Sequence, residues 1–277
     1  EGLNDQPQIK FSKLKHICFT DDINLKSDCW EIIYVEKLLP QDPHRSQRNL
    51  KIRPHLIFKN YQFSFYIDNT IVLKEKTENF IKMILKDKEI DPRQPNIFLP
   101  FHSFRKDLLS EFKECANLKR DTQIRIYEQL NDYFKINLDY LREKPYWAGL
   151  IFRNHNNSAL INFSEIWFAN VCRYSKRDQL SLIHSSYQAN IKLRGFALEN
   201  SASKYHKWPV KKNITQGKQK DEILIDFVPH KYIENLSKKF KYNKKLLINI
   251  EERKNILKIV FSKNFFKRLI KKFKSLF

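Results

Sequence analysis

Short runs of β-type residues alternate with segments of helical period along most of this chain, a pattern that an open α/β sheet accommodates and few other architectures do. Lys15–Thr20 and Trp30–Val35 read as strands, and Gln62–Leu73 as strand, turn, strand, with Asp68-Asn69 at the break. A short strand follows at Ile97–Phe101, and Ala148–Phe152 is another apolar segment. Between them, helical spacing covers Arg45–Tyr61 (ended near Pro54), Lys76–Lys88, Leu108–Ala116, Arg120–Leu141 and Ser164 to about Tyr174. Strands that alternate with helices predict an open, mostly parallel sheet flanked by helices.

With 277 residues, 42% of them hydrophobic and 14% aromatic, the chain can fill a core, which excludes a disordered polypeptide. Cys18, Cys29, Cys115 and Cys172 form no C-x-x-C pair, so they read as buried thiols in a reducing compartment. Four glycines and no G-x-x-x-x-G-K or G-x-G-x-x-G disfavour P-loop and dinucleotide-binding readings. No run reaches the roughly 20 apolar residues of a membrane span. A cytoplasmic protein is expected, and a start at Glu1 suggests a removed N-terminal piece.

The net charge of +21 implies acidic partners, and its distribution narrows them. Residues 207–277 hold 20 Lys+Arg against 6 Asp+Glu, so +14 of the excess lies there. Composition changes after Trp208-Pro209, which predicts a domain over 1–210 and a basic extension over 211–277. Within the extension, residues 262–277 place Phe266, Leu269, Ile270 and Phe273 on one face of a helix with Lys and Arg opposite. That is the pattern of a helix lying on an anionic membrane surface, peripheral on its inner face.

Phe65-Tyr66-Ile67-Asp68-Asn69-Thr70 is the segment richest in chemistry: an apolar strand delivers a carboxylate and an amide at its carboxyl end, the edge where open α/β sheets bind ligands. Such oxygens suit a hard divalent cation bridging phosphates, but Asp-Asn is also an ordinary turn pair, and on the segment alone the turn is the favoured reading. Arg45, Arg48 and Lys51, at helical spacing before Pro54-His55, can hold a pyrophosphate or form a solvated face. In Arg173–Ser181, Asp178 beside Arg177 is either a structural ion pair or a carboxylate for an acceptor hydroxyl. His102 with Arg105, Arg153 with Asn154 and His155, and His206 complete the candidates.

Taken in order, HICFTDD (16–22), R-x-x-K-x-x-PH (48–55), SFYIDNTIVL (64–73), PFHSFR (100–105), GLIFRNHN (149–156) and RYSKRDQLS (173–181) resemble a glycosyltransferase-like family of bacteria and plants, with plant members linked to mucilage polysaccharide synthesis. The resemblance implies a GT-A-like nucleotide-diphospho-sugar fold in which Asp68 replaces the usual D-x-D metal motif. It places Asp21 and Asp22 near the nucleoside, Arg48, Lys51, His55 and Arg153 around the donor, and His102 and Arg105 on the acceptor side. Arg177, Asp178 and Gln179 become the catalytic element, with Asn69 and, by position, His206 as further ligands of a manganese or magnesium ion. Two departures stand out. Family members usually read D-G-N where this chain has Asp68-Asn69-Thr70, and their domain opens with a strand and glycine turn that precede Glu1.

The expected activity is therefore metal-dependent transfer of a sugar from a nucleotide-diphospho-sugar to a glycan or lipid-linked envelope acceptor, with the ion neutralising the departing diphosphate. Two rivals remain. A basic nucleic-acid-binding protein is disfavoured because the charge is confined to the tail; a non-catalytic GT-A-like scaffold is kept open by the altered metal motif.

Overall fold

The computed structural model describes Leu3, residues 6–86 and 89–208, and Lys238. By its contacts the chain divides into Glu1–Glu222 and Ile223–Phe277, and only the first is described below. The amphipathic helix expected over 262–277, and the 211–277 extension apart from Lys238, lie outside the described residues.

After a 3-10 turn at Pro7–Phe11, strands β1 (Ile17–Thr20) and β2 (Glu31–Tyr34) pair in parallel, Ile17 opposite Glu31. Helix α1 (Pro43–Ile52) starts where its sequence says it should: Asp42 caps it by accepting from the Arg45 backbone N–H, with Pro43 in the first turn. Pro54 ends it, because Arg53 before the proline leaves helical geometry (φ −113°, ψ 51°) and a single 3-10 turn, Pro54–Leu56, follows. Strand β3 (Ser64–Ile67) leads through the Asp68–Ile71 turn into β4 (Val72–Leu73), and α2 (Thr77–Leu85) comes next.

Strand β5 (Ile97–Pro100) precedes α3 (Leu108–Asn117), which opens on a capping box between Asp107 and Ser110, and α4 (Gln123–Ile136). The apolar run expected to span 120–141 as one helix breaks after Ile136, and a 3-10 turn over Leu138–Arg142 takes up the remainder. Strand β6 (Leu150–Arg153) is followed by α5 (Ser158–Arg173), which begins earlier than its aromatic stretch suggests because Asn157 caps it by accepting from the Ala159 N–H. Helix α6 (Asp178–Gln188) and strands β7 (Arg194–Phe196) and β8 (His206–Lys207) complete the described chain.

The main sheet has the order β3-β6-β5-β7. Strands β3, β5 and β7 share one direction and β6 runs against them, so the two pairings of β6 are antiparallel and β5–β7 is parallel. Most strands thus point the same way, as the alternation predicts, but the sheet is mixed: hydrophobic period is the same for either strand direction. The β4–β8 pair is a separate antiparallel ribbon.

Strand β6 is buried at all four positions, as a strand covered on both faces must be. Its alternating side chains divide the core. Ile151 packs with Ile52 of α1, Leu160, Phe163 and Trp167 of α5 and Leu182 of α6, whereas Leu150 and Phe152 pack with Leu73, Phe80 and Ile84. Each such side chain, fully buried, contributes about 1.5–3 kcal/mol. Trp167 also donates its indole N–H to the Asp178 carbonyl at 2.9 Å, tying the core to the first residue of α6. All four cysteines are free thiols, but only Cys115 is buried as expected; Cys18 and Cys29 are half-buried and Cys172 is exposed.

Candidate functional site

Four segments converge on one open cavity of about 1230 Å³: the ends of β1 and β3, the middle of α1 and the start of α6. Helix α1 sends Arg48 and Lys51, one turn apart, toward the carboxyl end of β3, where the Asp68 N–H extends the ladder to Gly149 O (2.9 Å) before the chain turns. Asp68 is therefore both things its sequence allowed: a turn residue and a carboxylate presented at the sheet edge. At α6, Asp178 occupies the first helical position, where the helix dipole favours a negative charge. The preceding loop is held by buried Asp121, which accepts from Ser175 Oγ (2.9 Å) and the Lys176 N–H (2.6 Å).

The result is a compact charge cluster. Lys51 Nζ lies 2.6 Å from Asp178 Oδ2 and 3.7 Å from Asp68 Oδ1, while Arg48 Nε lies 3.1 Å from Asp178 Oδ1. Lys51 and Asp178 are almost wholly enclosed, with side chains 1% and 2% exposed; Asp68 keeps 30%. Burial alone would raise the Asp178 pKa, but Arg48, Lys51 and Arg177 outweigh it and hold the carboxyl well below the usual carboxylate range. Tyr66, two residues before Asp68 on β3 and so on the same face, donates its hydroxyl to Asp68 Oδ1 (2.6 Å), accepts from Gln47 Nε2 (2.8 Å) and sets its ring 4.9 Å from Lys51 Nζ. Burial, with Asp68 next, raises the phenol pKa, which keeps the proton on that donor.

A second cluster adjoins it around Glu111 of α3, which is buried. Arg105 Nε lies 3.0 Å from its Oε2 and His102 Nε2 3.6 Å, and Gln179 Nε2 donates to Oε1 at 3.2 Å. The other end of the Gln179 amide accepts from the Ala148 N–H (3.2 Å), so this side chain braces α6 against α3 and the entry to β6. Arg177 interacts with Cys115, Glu111 and Asp178, and these raise its pKa against the effect of burial.

Of the residues singled out from sequence, Asp21, Asp22, Arg48, Lys51, Asp68, Asn69, His102, Arg105, Arg153, Arg177, Asp178 and Gln179 all border this cavity. Several do something other than expected there. Asp21 pairs with Lys37 (2.9 Å), and Asp22 accepts from the Asn24 N–H (2.9 Å) in a local turn. Arg153 reaches the carbonyls of Lys51 and Ile52 (3.4 Å to the latter), capping the C-terminus of α1 from β6; burial lowers its pKa to about 9.

Two assignments are corrected. His55 lies away from the cavity: the 3-10 turn after Pro54 aims it at Glu165 of α5 (2.9 Å), which Arg53 shares at 2.7 Å. His206 is fully buried with Nδ1 on Ser203 Oγ (2.8 Å) and Nε2 on Asn200 O (3.1 Å), stacked on Phe80, so neither nitrogen is free to ligate an ion. Tyr66, Gln47 and Glu111 were missed. The Tyr66–Asp68 spacing on a strand was a readable signal; a lone Glu on an amphipathic helix gives none.

A divalent ion at Asp68 does not fit these residues. Among the described residues no group of three or more His, Cys, Asp or Glu side chains forms a protein-only cage, and the one or two carboxylates that an ion bridged to phosphate would need both face cations here. One Asp68 oxygen already accepts the Tyr66 hydrogen bond and faces the Lys51 ammonium, and Asp178 is engaged by two cations.

Neither the curated proteins nor the solved structures contain a match to the chain. A family model does match, over residues 6–205, described as TOD1/MUCI70, glycosyltransferase-like domain. The matched span includes both charge clusters and stops one residue short of His206. By that match, which covers well over half of its length, the chain belongs to the TOD1/MUCI70 glycosyltransferase-like domain family.

Proposed function

We propose that the domain is a glycosyltransferase whose donor is a nucleoside-diphosphate sugar, bound in the cavity with its diphosphate beside Arg48 and Lys51 and its sugar toward Gln179 and the Glu111 cluster. One observation carries this reading: residues of three separate segments, Arg48 and Lys51 of α1, Tyr66 and Asp68 at β3, and Asp178 of α6, meet within hydrogen-bonding or ion-pairing distance at the carboxyl end of β3. Ligands of open α/β sheets bind at that edge. A sheet in which one reversed strand interrupts three co-directional ones is compatible with a GT-A-like arrangement.

In this proposal the chain supplies mainly electrostatics. Fixed cations facing the diphosphate stabilise the charge that develops on it as the glycosyl bond breaks. Asp178 positions those cations. It is a poor proton acceptor, because a carboxyl held well below its ordinary range binds a proton weakly near neutrality. The expected glycan or lipid-linked acceptor would enter beside His102 and Arg105, which border the same cavity. Composition alone supports residues 262–277 as a contact for an anionic membrane surface. No helix among the described residues is long and apolar enough to cross a membrane.

A screen of nucleotide sugars for slow donor hydrolysis tests the reading, with calorimetry on UDP and GDP beside it. Binding of one diphosphate, weakened about tenfold or more by Arg48→Ala, is expected for the loss of a charge-assisted phosphate contact. No binding of any nucleoside diphosphate, and no donor hydrolysis, would end it.

A further inference from the structure

Lys51 stands where a divalent ion would be looked for. Its side chain is enclosed, 1% exposed, and both carboxylates of the site turn toward its ammonium: Asp178 at 2.6 Å and Asp68 at 3.7 Å. Divalent ions of the magnesium and manganese class bridge one or two carboxylates to substrate phosphate oxygens at about 2.0–2.2 Å. Here both carboxylates are already bridged, and the bridge is a covalent part of the chain. A metal entering between them would displace a buried ammonium or sit within a few ångströms of it, with Arg48 also paired to Asp178.

The cluster is also fastened in a way a loose side chain is not. Arg153 holds the Lys51 carbonyl, the Tyr66 ring flanks the Lys51 nitrogen, and Trp167 holds the Asp178 carbonyl. An ammonium has three donors. Asp178 at 2.6 Å is within reach of one, whereas Asp68 at 3.7 Å is an ion pair beyond hydrogen-bonding distance; Lys51 borders the cavity, and Arg48, 15% exposed, adds a guanidinium edge beside it for a phosphate oxygen.

We propose that Lys51 is a built-in replacement for the divalent ion, so that this site takes a nucleoside diphosphate without metal. The proposal rests on the donor reading above for its ligand, but not for its metal chemistry. Its converse is that deleting the ammonium opens a metal site made of Asp68 and Asp178.

The full chain is titrated with UDP and GDP in EDTA and in MnCl₂, and separately with Mn²⁺ alone, followed by electron paramagnetic resonance. Expected for the unaltered protein is diphosphate affinity that agrees within about twofold with and without Mn²⁺, and no bound Mn²⁺ in the absence of nucleotide. Lys51→Ala is expected to lose about tenfold or more of its affinity in EDTA, to bind Mn²⁺ directly and to regain affinity with it; adding Asp68→Asn abolishes the Mn²⁺ signal. Lys51→Met, which keeps the apolar stem, repeats the measurement should the alanine variant fail to fold by circular dichroism.

Diphosphate binding by the unaltered protein that requires Mn²⁺ would overturn the inference and leave the donor reading intact. Absence of diphosphate binding in every condition would remove the donor reading. The Mn²⁺ arm then decides the metal question alone: binding by the unaltered protein, or none by either Lys51 variant, overturns it.

Discussion

Asp178 is paired with both Arg48 and Lys51 while almost wholly enclosed, so its charge bears directly on stability. Breaking one side of a buried ion pair costs about 3–5 kcal/mol because the remaining charges lose their partner. Asp178→Asn is expected to lower the unfolding free energy by about that much, measured by urea titration at neutral pH. The sign with pH follows from the depressed pKa: its contribution is full above the unfolded value of about 3.9 and is lost as pH falls toward the lower folded value. Unfolding curves from pH 5 to pH 2 should therefore fall less steeply for Asp178→Asn than for the parent. His184 works in a higher window. Buried beneath Tyr133 (ring centroids 4.1 Å apart), its imidazole is pushed down to about 4 from 6.5. The unfolded chain takes up that proton first, so stability should drop between pH 6.5 and 4, and His184→Gln should flatten the drop. At this scale the sequence was a good guide to charge and a poor one to direction. Arg48, Lys51, Asp68 and Asp178 could be gathered from motif order, whereas His55 and His206 were misplaced because a residue's letter does not tell whether a neighbouring Glu165 or Ser203 has already claimed its ring.

Among the elements, β6 shows what periodicity can and cannot convey. Its apolar run was legible as a strand, but its reversed direction was not, because side chains alternate identically either way. Gly149, just before β6, accepts from the Asp68 N–H, and a Cβ there would come 2.7 Å from the Trp147 indole. Overpacking of this kind costs about 1–3 kcal/mol. Gly149→Ala should shift the urea midpoint accordingly and also weaken diphosphate binding, since the displaced indole packs on Trp208, which donates to Thr70 in the turn that aims Asp68. A midpoint shift with unaltered binding would show that turn to be independent of β6. Helix limits were readable where caps were explicit, as at Asp42 and Asp107, and were missed at Asn157, whose role depended on a strand-to-helix turn that the aromatic stretch after Ser164 overshadowed.

For the whole molecule, charge is distributed unevenly: +14 of the +21 falls in residues 207–277, beyond both clusters. On an anionic leaflet each near-surface cation contributes about 1 kcal/mol, an attraction that salt screens. Sedimentation with phosphatidylserine vesicles is expected to carry the protein into the pellet at low salt and release it at high salt, and deletion of residues 262–277 should leave it in the supernatant. Co-sedimentation that ignores both salt and the deletion would refute the surface contact. The cluster itself has a consequence for biogenesis. Its charges come from α1, β3 and α6, and the last of them, Asp178, is added only after most of the domain has been synthesised. A ribosome-bound chain stopped short of that residue would leave Arg48 without its ion-pair partner and Lys51 with Asp68 alone, so full ligand recognition should emerge only late in translation.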